Sequence, residues 1–319
     1  MRAQPRMSVT LPVFNGEKYI AQAISSILDQ TYRDLELIIS DNASTDATEE
    51  ICRSFEAQDQ RIRYVRQPRN IGASPNFNTC YELASGEYFK WAAHDDYVEP
   101  EYLAKCIAAL DANPDAVLCQ SLVRRTDSQD RLIEITRPIE PAAASPRRSQ
   151  RFAARIRNPR CLEIWGVIRR MALRESVLIG SYVGMDRTLL LELALRGRFL
   201  LIDQPLFTNR DHPERATRVT RTQTRTDLAL VYDTANAGQT VLSTWMFYRE
   251  SAGIIRRNLK GSAERLRCFG HLLLSLGRTW DLVFLVIEPF MGLTPGVHLK
   301  AKSVKRSLWR AKQRLLGQT

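Results

Sequence analysis

The stretch SVTLPVFNGEKYIAQAISSIL, residues 8–28, decides the fold. Residues 8–13 form a β-branched and apolar run, and the Asn15-Gly16 pair after it is a turn signal. From Glu17 onward, apolar side chains recur at the spacing of one helix face: Ile20, Ala23, Ile24, Ile27 and Leu28. The stretch therefore predicts a strand, a turn with Asn15 as the helix cap, and a helix whose apolar face packs on a sheet.

The same alternation of strand and helix patterns continues to about residue 112. Further strands are predicted at 35–40, 62–66 and 87–92, and helices at about 46–57, 74–84 and 100–112. Strands separated by helices in this way are typical of an α/β fold with a mainly parallel sheet flanked by helices. A helix at 186–195 and a strand at 199–202 come later, and the chain from about 228 predicts a helical C-terminal extension.

One long segment lacks this regular pattern. Residues 137–160 are rich in Pro, Ala and Arg, which predicts a mobile connection or an acceptor-side insert.

Acidic residues follow two of the predicted strands directly. Asp41 comes after the second strand, and Asp95-Asp96 come after the fourth. In open α/β sheets ligands bind at the carboxyl ends of the strands, so these carboxylates are expected at one edge of the sheet. Carboxylate oxygens are ligands for hard divalent cations such as Mg²⁺ or Mn²⁺, which stabilise a departing diphosphate.

Composition excludes several other classes of protein. Six scattered cysteines without a CxxC pair suit a reducing cytoplasm, and no apolar leader or spanning segment is expected. The first strand leads into PVFNGEKY without GxGxxG, which argues against a dinucleotide-dependent oxidoreductase. Residues 1–120 hold 11 Lys and Arg against 18 Asp and Glu, so nucleic acid is not an expected partner despite a net charge of +11.

Three longer stretches carry a family resemblance. LPVFNGEKYIAQAISSILDQTYRDLELIISDNASTDAT (11–48) and RNIGASPNFNTCYELASGEYFKWAAHDDYVEPEYL (69–103) resemble the family 2 glycosyltransferases, which have the GT-A fold. YVGMDRTLLLELALRGRFLLIDQPLFTNRDH (182–212) is similar to the acceptor half of bacterial members. The resemblance covers residues 7–125 closely. It implies inverting transfer of a sugar from a nucleoside-diphosphate donor, with UDP as the first choice.

The resemblance also implies where the donor binds. Asp41 would contact the nucleotide base, and Asp95 the ribose or a metal-bound water. The remaining residues expected to bind the nucleotide sugar are Pro12, Val13, Phe14, Asn15, Glu17 and Asn70, with Arg69 beside the last. Two alternatives stay open, since Asp41 also suits an Asx turn and Glu17 a favourable charge at a helix N-terminus.

Metal and catalytic roles follow in the same way. The family's DxD metal motif maps onto His94-Asp95-Asp96, with Asp96 as direct metal ligand and His212 completing the sphere. His94 departs from the family pattern, and both a carboxylate-orienting role and plain packing stay open for it. Asp186 would be the general base, with a simple N-cap as the alternative.

Three further side chains are candidates for contact with substrate. Arg210 would reach the diphosphate or acceptor, and Trp165 would stack on a sugar ring or only pack in the core. Core packing is the preferred interpretation for Trp91.

The chain divides into three predicted parts. Residues 1–125 form the nucleotide-sugar half of the GT-A domain, 126–227 its acceptor half, and 228–319 a basic helical extension. Residues 241–319 hold 14 Lys and Arg against 4 Asp and Glu with interleaved apolar groups, which predicts either an anionic membrane surface as partner or a solvated helix face.

The expected protein is thus a cytoplasmic glycosyltransferase, peripheral on the inner face of the membrane. It would act on a saccharide or lipid-linked acceptor in cell-surface polysaccharide or glycoconjugate synthesis. The alternative is a non-catalytic glycosyltransferase-like binding or scaffolding protein.

Overall fold

The computed structural model describes residues 4–158, 160–215, 225–237, 239, 241–278 and 281–291. Strands and helices alternate through the first part of the chain. The elements in order are β1 (Met7–Val13), α1 (Ile20–Leu28), β2 (Leu35–Asp41), α2 (Thr48–Gln58), β3 (Ile62–Arg66), α3 (Ala73–Leu83), β4 (Tyr88–Trp91), β5 (Tyr97–Val98) and α4 (Tyr102–Asp111). Every strand and helix predicted up to residue 112 is therefore present.

The second part of the chain adds longer strands and more helices. Its elements are β6 (Ala116–Thr126), β7 (Leu132–Thr136), α5 (Arg148–Arg157), β8 (Val167–Arg169), α6 (Arg170–Leu173), α7 (Met185–Arg196), β9 (Arg198–Arg210), α8 (Arg225–Tyr232), α9 (Ser243–Asn258), α10 (Ser262–Arg278) and α11 (Asp281–Met291). Short 3₁₀ turns lie at Pro141–Ala144, Leu162–Trp165 and Thr234–Asn236.

In the described part of the chain, one sheet of nine strands runs in the order β3-β2-β1-β4-β8-β6-β9-β5, and β7 pairs with β6. Pairing is parallel from β3 through β2 and β1 to β4, and again between β6 and β9. The short strands β5, β7 and β8 pair antiparallel with their neighbours. The prediction of an α/β fold with a mainly parallel sheet flanked by helices is confirmed.

Apolar side chains on both faces of the sheet form the core. Every residue of β1 is buried, as expected for a strand covered by helices on both sides. The face of α1 predicted from periodicity packs there, with Ile20, Ala23, Ile24 and Ile27 buried. The predicted cap of this helix is wrong, because Asn15 Oδ1 accepts a hydrogen bond from Thr45 N at 2.9 Å instead.

The segment 137–160 is a built part of the fold. The prediction of a mobile connection is wrong there, since the segment contains a 3₁₀ turn and helix α5, which buries Phe152 in a cluster with helices α7, α9 and α10. Two arginines of this helix are also buried. Arg151 Nε donates to the carbonyl of Ala194 at 2.7 Å, and Arg155 pairs with the buried Glu163.

In the described residues the chain after residue 228 is mainly helical, as predicted. Helix α9 packs on α7, α10 on α5, and α11 on both α9 and α10. Within the described ranges, no helix is long and apolar enough to cross a membrane. The basic segment 292–319 lies outside the described residues.

Candidate functional site

The carboxyl ends of β1, β2 and β4 meet at one edge of the sheet, as the strand pairing requires. Asp41 is the last residue of β2 and is fully buried. Its Oδ1 accepts hydrogen bonds from Ser44 N at 2.8 Å and Ser44 Oγ at 2.6 Å, and its Oδ2 accepts from Tyr64 Oη at 2.6 Å and Arg66 at 2.9 Å. Asp41 thus organises the loop after β2, in line with the turn alternative, and its contact with a nucleotide base stays a prediction.

Asn42, the next residue, was not selected from the sequence. Its Nδ2 donates to Asn70 Oδ1 at 2.9 Å, and its Oδ1 accepts from Ile71 N at 2.9 Å. Asn70 and Arg69 are exposed beside it. One asparagine therefore fixes the loop that carries the predicted nucleotide contact Asn70.

The segment after β1 packs against the start of α2. Asn15 has a φ of +52° and donates its N–H to Ser44 Oγ at 2.9 Å. Glu17 Oε2 accepts from Ala47 N at 2.9 Å, where α2 begins, so its charge lies at the positive end of that helix. Pro12 and Val13 are buried at the end of β1, while the Phe14 side chain is 44% exposed at the edge.

The Asp95 and Asp96 side chains have different partners. Asp95 Oδ2 lies 2.9 Å from His212 Nε2, and the imidazole packs against the Tyr19 ring. Burial alone would raise the pKa of Asp95, but the hydrogen bond with His212 and the charges of His94 and Arg215 outweigh it and lower the pKa. Asp95 is therefore held as a carboxylate next to an imidazole.

Asp96 is bound to the end of β9. Its Oδ2 accepts from Asn209 Nδ2 at 2.9 Å and its Oδ1 from Arg210 N at 2.9 Å. Burial and the charge of Asp95 raise the pKa of Asp96 to about 7. Both oxygens of the predicted metal ligand are thus engaged by the protein, whereas Asp95 Oδ1 receives no hydrogen bond from any described residue.

Arg210 lies beneath this pair of aspartates. Its guanidinium donates to Asp95 O at 3.0 Å, Gln22 Oε1 at 2.7 Å and Asp130 Oδ1 at 2.7 Å, and it is 2% exposed. These contacts make it a support for the aspartate loop, and its contact with diphosphate or acceptor stays a prediction.

Arg215 is a cation that the sequence analysis did not select. It is half-buried, donates to Asn209 Oδ1 at 2.9 Å and lowers the pKa of Asp95. Its position three residues after the predicted site residue His212 was the one feature of the sequence that could have indicated a role at the site.

The aromatic and imidazole candidates are mainly packed. The His94 ring lies against Gly16, where a Cβ would approach it to 3.0 Å, and burial lowers the His94 pKa. Trp91 is fully buried and donates to the carbonyl of Phe77 at 3.0 Å, as the core interpretation requires. Trp165 is half-buried with its ring centroid 6.2 Å from that of Phe77, and sugar stacking by it stays a prediction.

Asp186 lies in the first turn of α7. The helix N-cap is Gly184 with a φ of +89°, and no side chain caps it, so the structure does not have the capping alternative. Asp186 Oδ1 accepts from Arg187 N at 2.7 Å, and burial raises the carboxyl pKa despite a hydrogen bond with Cys161. A raised pKa brings a carboxylate closer to the basicity that proton abstraction needs.

Direct contacts link the Asp186 segment to the nucleotide loop. Ser74 Oγ, at the start of α3, donates to Gly180 O at 2.9 Å, and Ser181 Oγ donates to Asp233 Oδ2 at 2.9 Å. Thr234 N donates to Ile71 O at 3.3 Å, which joins the turn after α8 to the 70–72 loop. The segment that leads into Asp186 is therefore attached to the start of α3 and, through the turn after α8, to the loop that carries Asn70.

The donor set at Asp95 and His212 fits a divalent cation only in part. In the described part of the chain, no three His, Cys, Asp or Glu side chains are grouped to hold a metal ion. His212 Nδ1 is nevertheless buried without a hydrogen-bond partner. Mg²⁺ commonly takes one or two carboxylates and completes its shell with substrate phosphates and water, and the Asp95 carboxylate meets that need.

Known proteins share both sequence and fold with this chain. Glycosyltransferase GlyA of Streptococcus pneumoniae is 37% identical over 103 residues, covering 32% of this chain and 15% of that protein. Putative glycosyltransferase EpsE of Bacillus subtilis is 35% identical over 112 residues, 35% of this chain and 40% of that protein. The match thus spans less than half the length of these curated relatives.

Solved structures extend the likeness over most of the chain. S. aureus TarS 1–349 in complex with UDP-GlcNAc has a TM-score of 0.62 at 18% identity, covering 86% of this chain and 73% of that one. Mannosyltransferase PcManGT from Pyrobaculum calidifontis in complex with GDP-Man and Mn²⁺ has a TM-score of 0.52 at 17% identity, covering 91% and 88%. The model of glycosyl transferase family 2 matches residues 8–179, more than half of the sequence. The chain therefore belongs to glycosyl transferase family 2.

Proposed function

We propose that the protein transfers a sugar, with inversion, from a nucleoside-diphosphate donor to a saccharide or lipid-linked acceptor in cell-surface polysaccharide or glycoconjugate synthesis. The observation that carries the proposal is the pairing of Asp95 with His212 after β4, and the attachment of the segment before Asp186 to the start of α3 supports it. UDP is the first choice of nucleotide, and the TarS complex with UDP-GlcNAc supports it. The protein would act in the cytoplasm, peripheral on the inner face of the membrane where a lipid-linked acceptor is held.

The residues have separate roles in this reaction. The Asp186 carboxylate takes the proton of the acceptor hydroxyl while that oxygen bonds to the anomeric carbon and the bond from that carbon to the diphosphate oxygen breaks. Asp95 and His212 would hold Mg²⁺ or Mn²⁺, which supplies positive charge to the leaving diphosphate. Arg215 adds a second cation at the same place. The proposed use of metal is supported by the Mn²⁺ complex of PcManGT.

Thermal-shift measurements with UDP, GDP and their sugars, with and without Mn²⁺, test donor binding, because a ligand that binds the folded state raises the melting temperature. Asp95→Asn should remove the part of the shift that needs Mn²⁺. Asp186→Asn should keep the shift and lower the transfer rate by about 10²–10⁴-fold, the usual contribution of a general base. Asp203→Asn, at an exposed position of β9, is the matched control.

The outcomes separate the two candidate functions. Donor binding without transfer by the intact protein would favour the non-catalytic binding or scaffolding alternative. Normal transfer by Asp186→Asn would exclude that residue as the base, and no shift with any nucleotide would contradict the proposal as a whole.

A further inference from the structure

The outward face of helix α10 is apolar. Leu266, Leu273 and Leu274 are 69%, 65% and 64% exposed. Together with Gly270 and Gly277 they recur at the spacing of one helix face, and a Cβ on either glycine would meet nothing within 4 Å. A surface helix normally presents polar side chains on this face, so the pattern is reversed.

Helix α11 has the same reversal. Leu282, Val283 and Val286 are 54%, 44% and 67% exposed. Its carboxylate Glu288, in contrast, is fully buried and accepts hydrogen bonds from Thr244 N at 3.0 Å and Trp245 N at 3.2 Å at the start of α9. The polar group of this helix therefore stabilises the interior while its aliphatic groups meet solvent.

The exposed side chains are not needed for the core of the helical region. The inner face of α10 already contributes Cys268 and Leu272, which are buried against Phe152, Phe247 and Ile255. We call the exposed set the outer face, and it consists of Leu266, Leu273, Leu274, Leu282, Val283 and Val286. Exposed aliphatic side chains beyond a folded core, on two helices that pack on each other, indicate an interaction site.

Exposed cations lie on α10 and at its start. Arg267 is exposed on α10, where it pairs with Glu264, and Arg256 and Lys260 are exposed at the junction of α9 with α10. Residues 292–319, which follow α11, contain 7 Lys and Arg and no Asp or Glu. Cations beside exposed aliphatic side chains are the combination that binds an anionic lipid surface, where phosphates attract the cations and the aliphatic groups enter the acyl boundary.

We propose that the outer face docks on the surface of an anionic lipid bilayer. Its six aliphatic side chains enter the boundary between headgroups and acyl chains, and the surrounding cations contact lipid phosphates. The inference goes beyond sugar transfer, because docking needs neither a donor nor Asp186. It also assigns membrane contact, predicted from the sequence for residues 241–319 as a whole, to helices α10 and α11 and to six of their side chains.

Co-sedimentation of the full chain with phosphatidylcholine vesicles, with and without phosphatidylglycerol, tests the proposal. The intact protein should bind the anionic vesicles, more weakly at high salt. Leu266→Ser, Leu273→Ser and Leu274→Ser together should lower binding at least about tenfold, because each removes a large aliphatic group from the lipid boundary. The matched control changes Leu132, Ile133 and Ile135 of β7 to Ser, since these are 57%, 51% and 51% exposed on another surface. It should bind like the intact protein.

Two results would overturn the proposal. The first is undiminished vesicle binding by the outer-face variant. The second is a dimer of the intact protein that this variant dissociates while neither binds vesicles, which would make a second copy the occupant. Donor thermal shifts measured on the same variants keep this test separate from that of sugar transfer.

Discussion

The loop after β2 and the helices of residues 141–291 hold their carboxylates in different ways. In the loop, Asp41 accepts a hydrogen bond from Ser44, three residues later. In the helical region the partners are far apart in sequence, as for Glu264, which accepts from Ser149 N across 115 residues. The contact between Asp41 and Ser44 can be predicted from a local sequence pattern. The contact between Glu264 and Ser149 forms only when distant helices pack.

Surfaces differ between the two regions as well. The edge of the sheet is polar and acidic, whereas the outer face of α10 and α11 is aliphatic with basic neighbours. The contrast indicates that one region is built to receive a charged small molecule and the other to meet an extended surface. It also implies that the helical region is as rigidly fixed as the sheet, which stability measurements can test.

The largest effect is expected at the buried pair of Arg155 and Glu163, which are 2% and 1% exposed. Arg155→Leu leaves a buried carboxylate without its partner, and removing one member of such a pair costs about 3–5 kcal/mol of unfolding free energy. Urea unfolding of Arg155→Leu and of Arg157→Leu, an exposed position on the same helix, gives the comparison. Equal stabilities would mean that α5 is not fixed by this pair.

The pH dependence of this loss has a definite sign. Burial raises the pKa of Glu163 to about 7, above its ordinary 4.5, despite the charge of Arg155. A carboxyl with a raised folded-state pKa favours the folded protein below pH 4.5, and this contribution is lost as the pH rises through about 7. The cost of Arg155→Leu should therefore be larger at pH 8 than at pH 5. The double change of Arg155 and Glu163 to Leu should restore most of the loss.

A smaller effect is expected where the two regions meet, at Gly72. Its φ and ψ are +91° and 164°, and a Cβ there would lie 2.6 Å from Asp233 Cα. Gly72→Ala should cost about 2–4 kcal/mol from backbone strain and overlap together, and it should weaken nucleotide binding through the 70–72 loop. Gly184→Ala is the matched control, because its φ is +89° but a Cβ would meet nothing within 4 Å. If the two variants lose the same unfolding free energy in urea, close packing of α8 and its turn against the 70–72 loop does not contribute to the cost of Gly72→Ala.

Much of the sheet edge follows from the sequence. The elements up to residue 112 and the placement of Asp41 and Asp95-Asp96 were predicted because parallel strands bring their carboxyl ends together. The partners of Asp95 and Asp96 were not predictable in this way. They come from the end of β9, 117 residues further along for His212, and neighbouring side chains in a loop point in different directions.

The packing of the helical region could not be predicted as well from the sequence, for a physical reason. Pattern rules place arginine on the surface, but Arg151 and Arg155 are buried and donate to carbonyl or carboxylate oxygens. Burial in their helix runs without a break from Arg151 to Ile156, so it does not follow one apolar face. Burial of such cations depends on acceptors from α7 and the Glu163 turn, which a local window does not contain.

Lys90 in β4 is a position inside the sheet where a substitution is expected to raise the unfolding free energy. Its ammonium is buried over the Tyr102 and Phe207 rings, and burial lowers its pKa to about 8. Lys90→Met removes the desolvated charge and should raise the unfolding free energy by about 1–3 kcal/mol at pH 7. Above pH 8 the folded protein releases this proton while the unfolded chain keeps it, so the advantage should shrink toward pH 10. An advantage that does not change with pH would contradict a depressed Lys90 pKa.

The smallest change in unfolding free energy is expected at α9 and α5, whose N-terminal N–H groups donate to a carboxylate far away in sequence. Glu288 is fully buried at the start of α9, and Glu264, with 29% side-chain exposure, accepts from Ser149 N at 2.8 Å at the start of α5. Changing either to Gln keeps the side-chain length but removes the negative charge that favours a helix N-terminus. Urea unfolding should show a loss of about 1–2 kcal/mol for Glu288→Gln and about 0.5 kcal/mol for Glu264→Gln, since water screens the second. A larger loss of unfolding free energy for Glu264→Gln than for Glu288→Gln would contradict this expectation. It would mean that apolar contacts, and not the buried Glu288 carboxylate, determine the orientation of α11 and therefore which of its side chains are exposed.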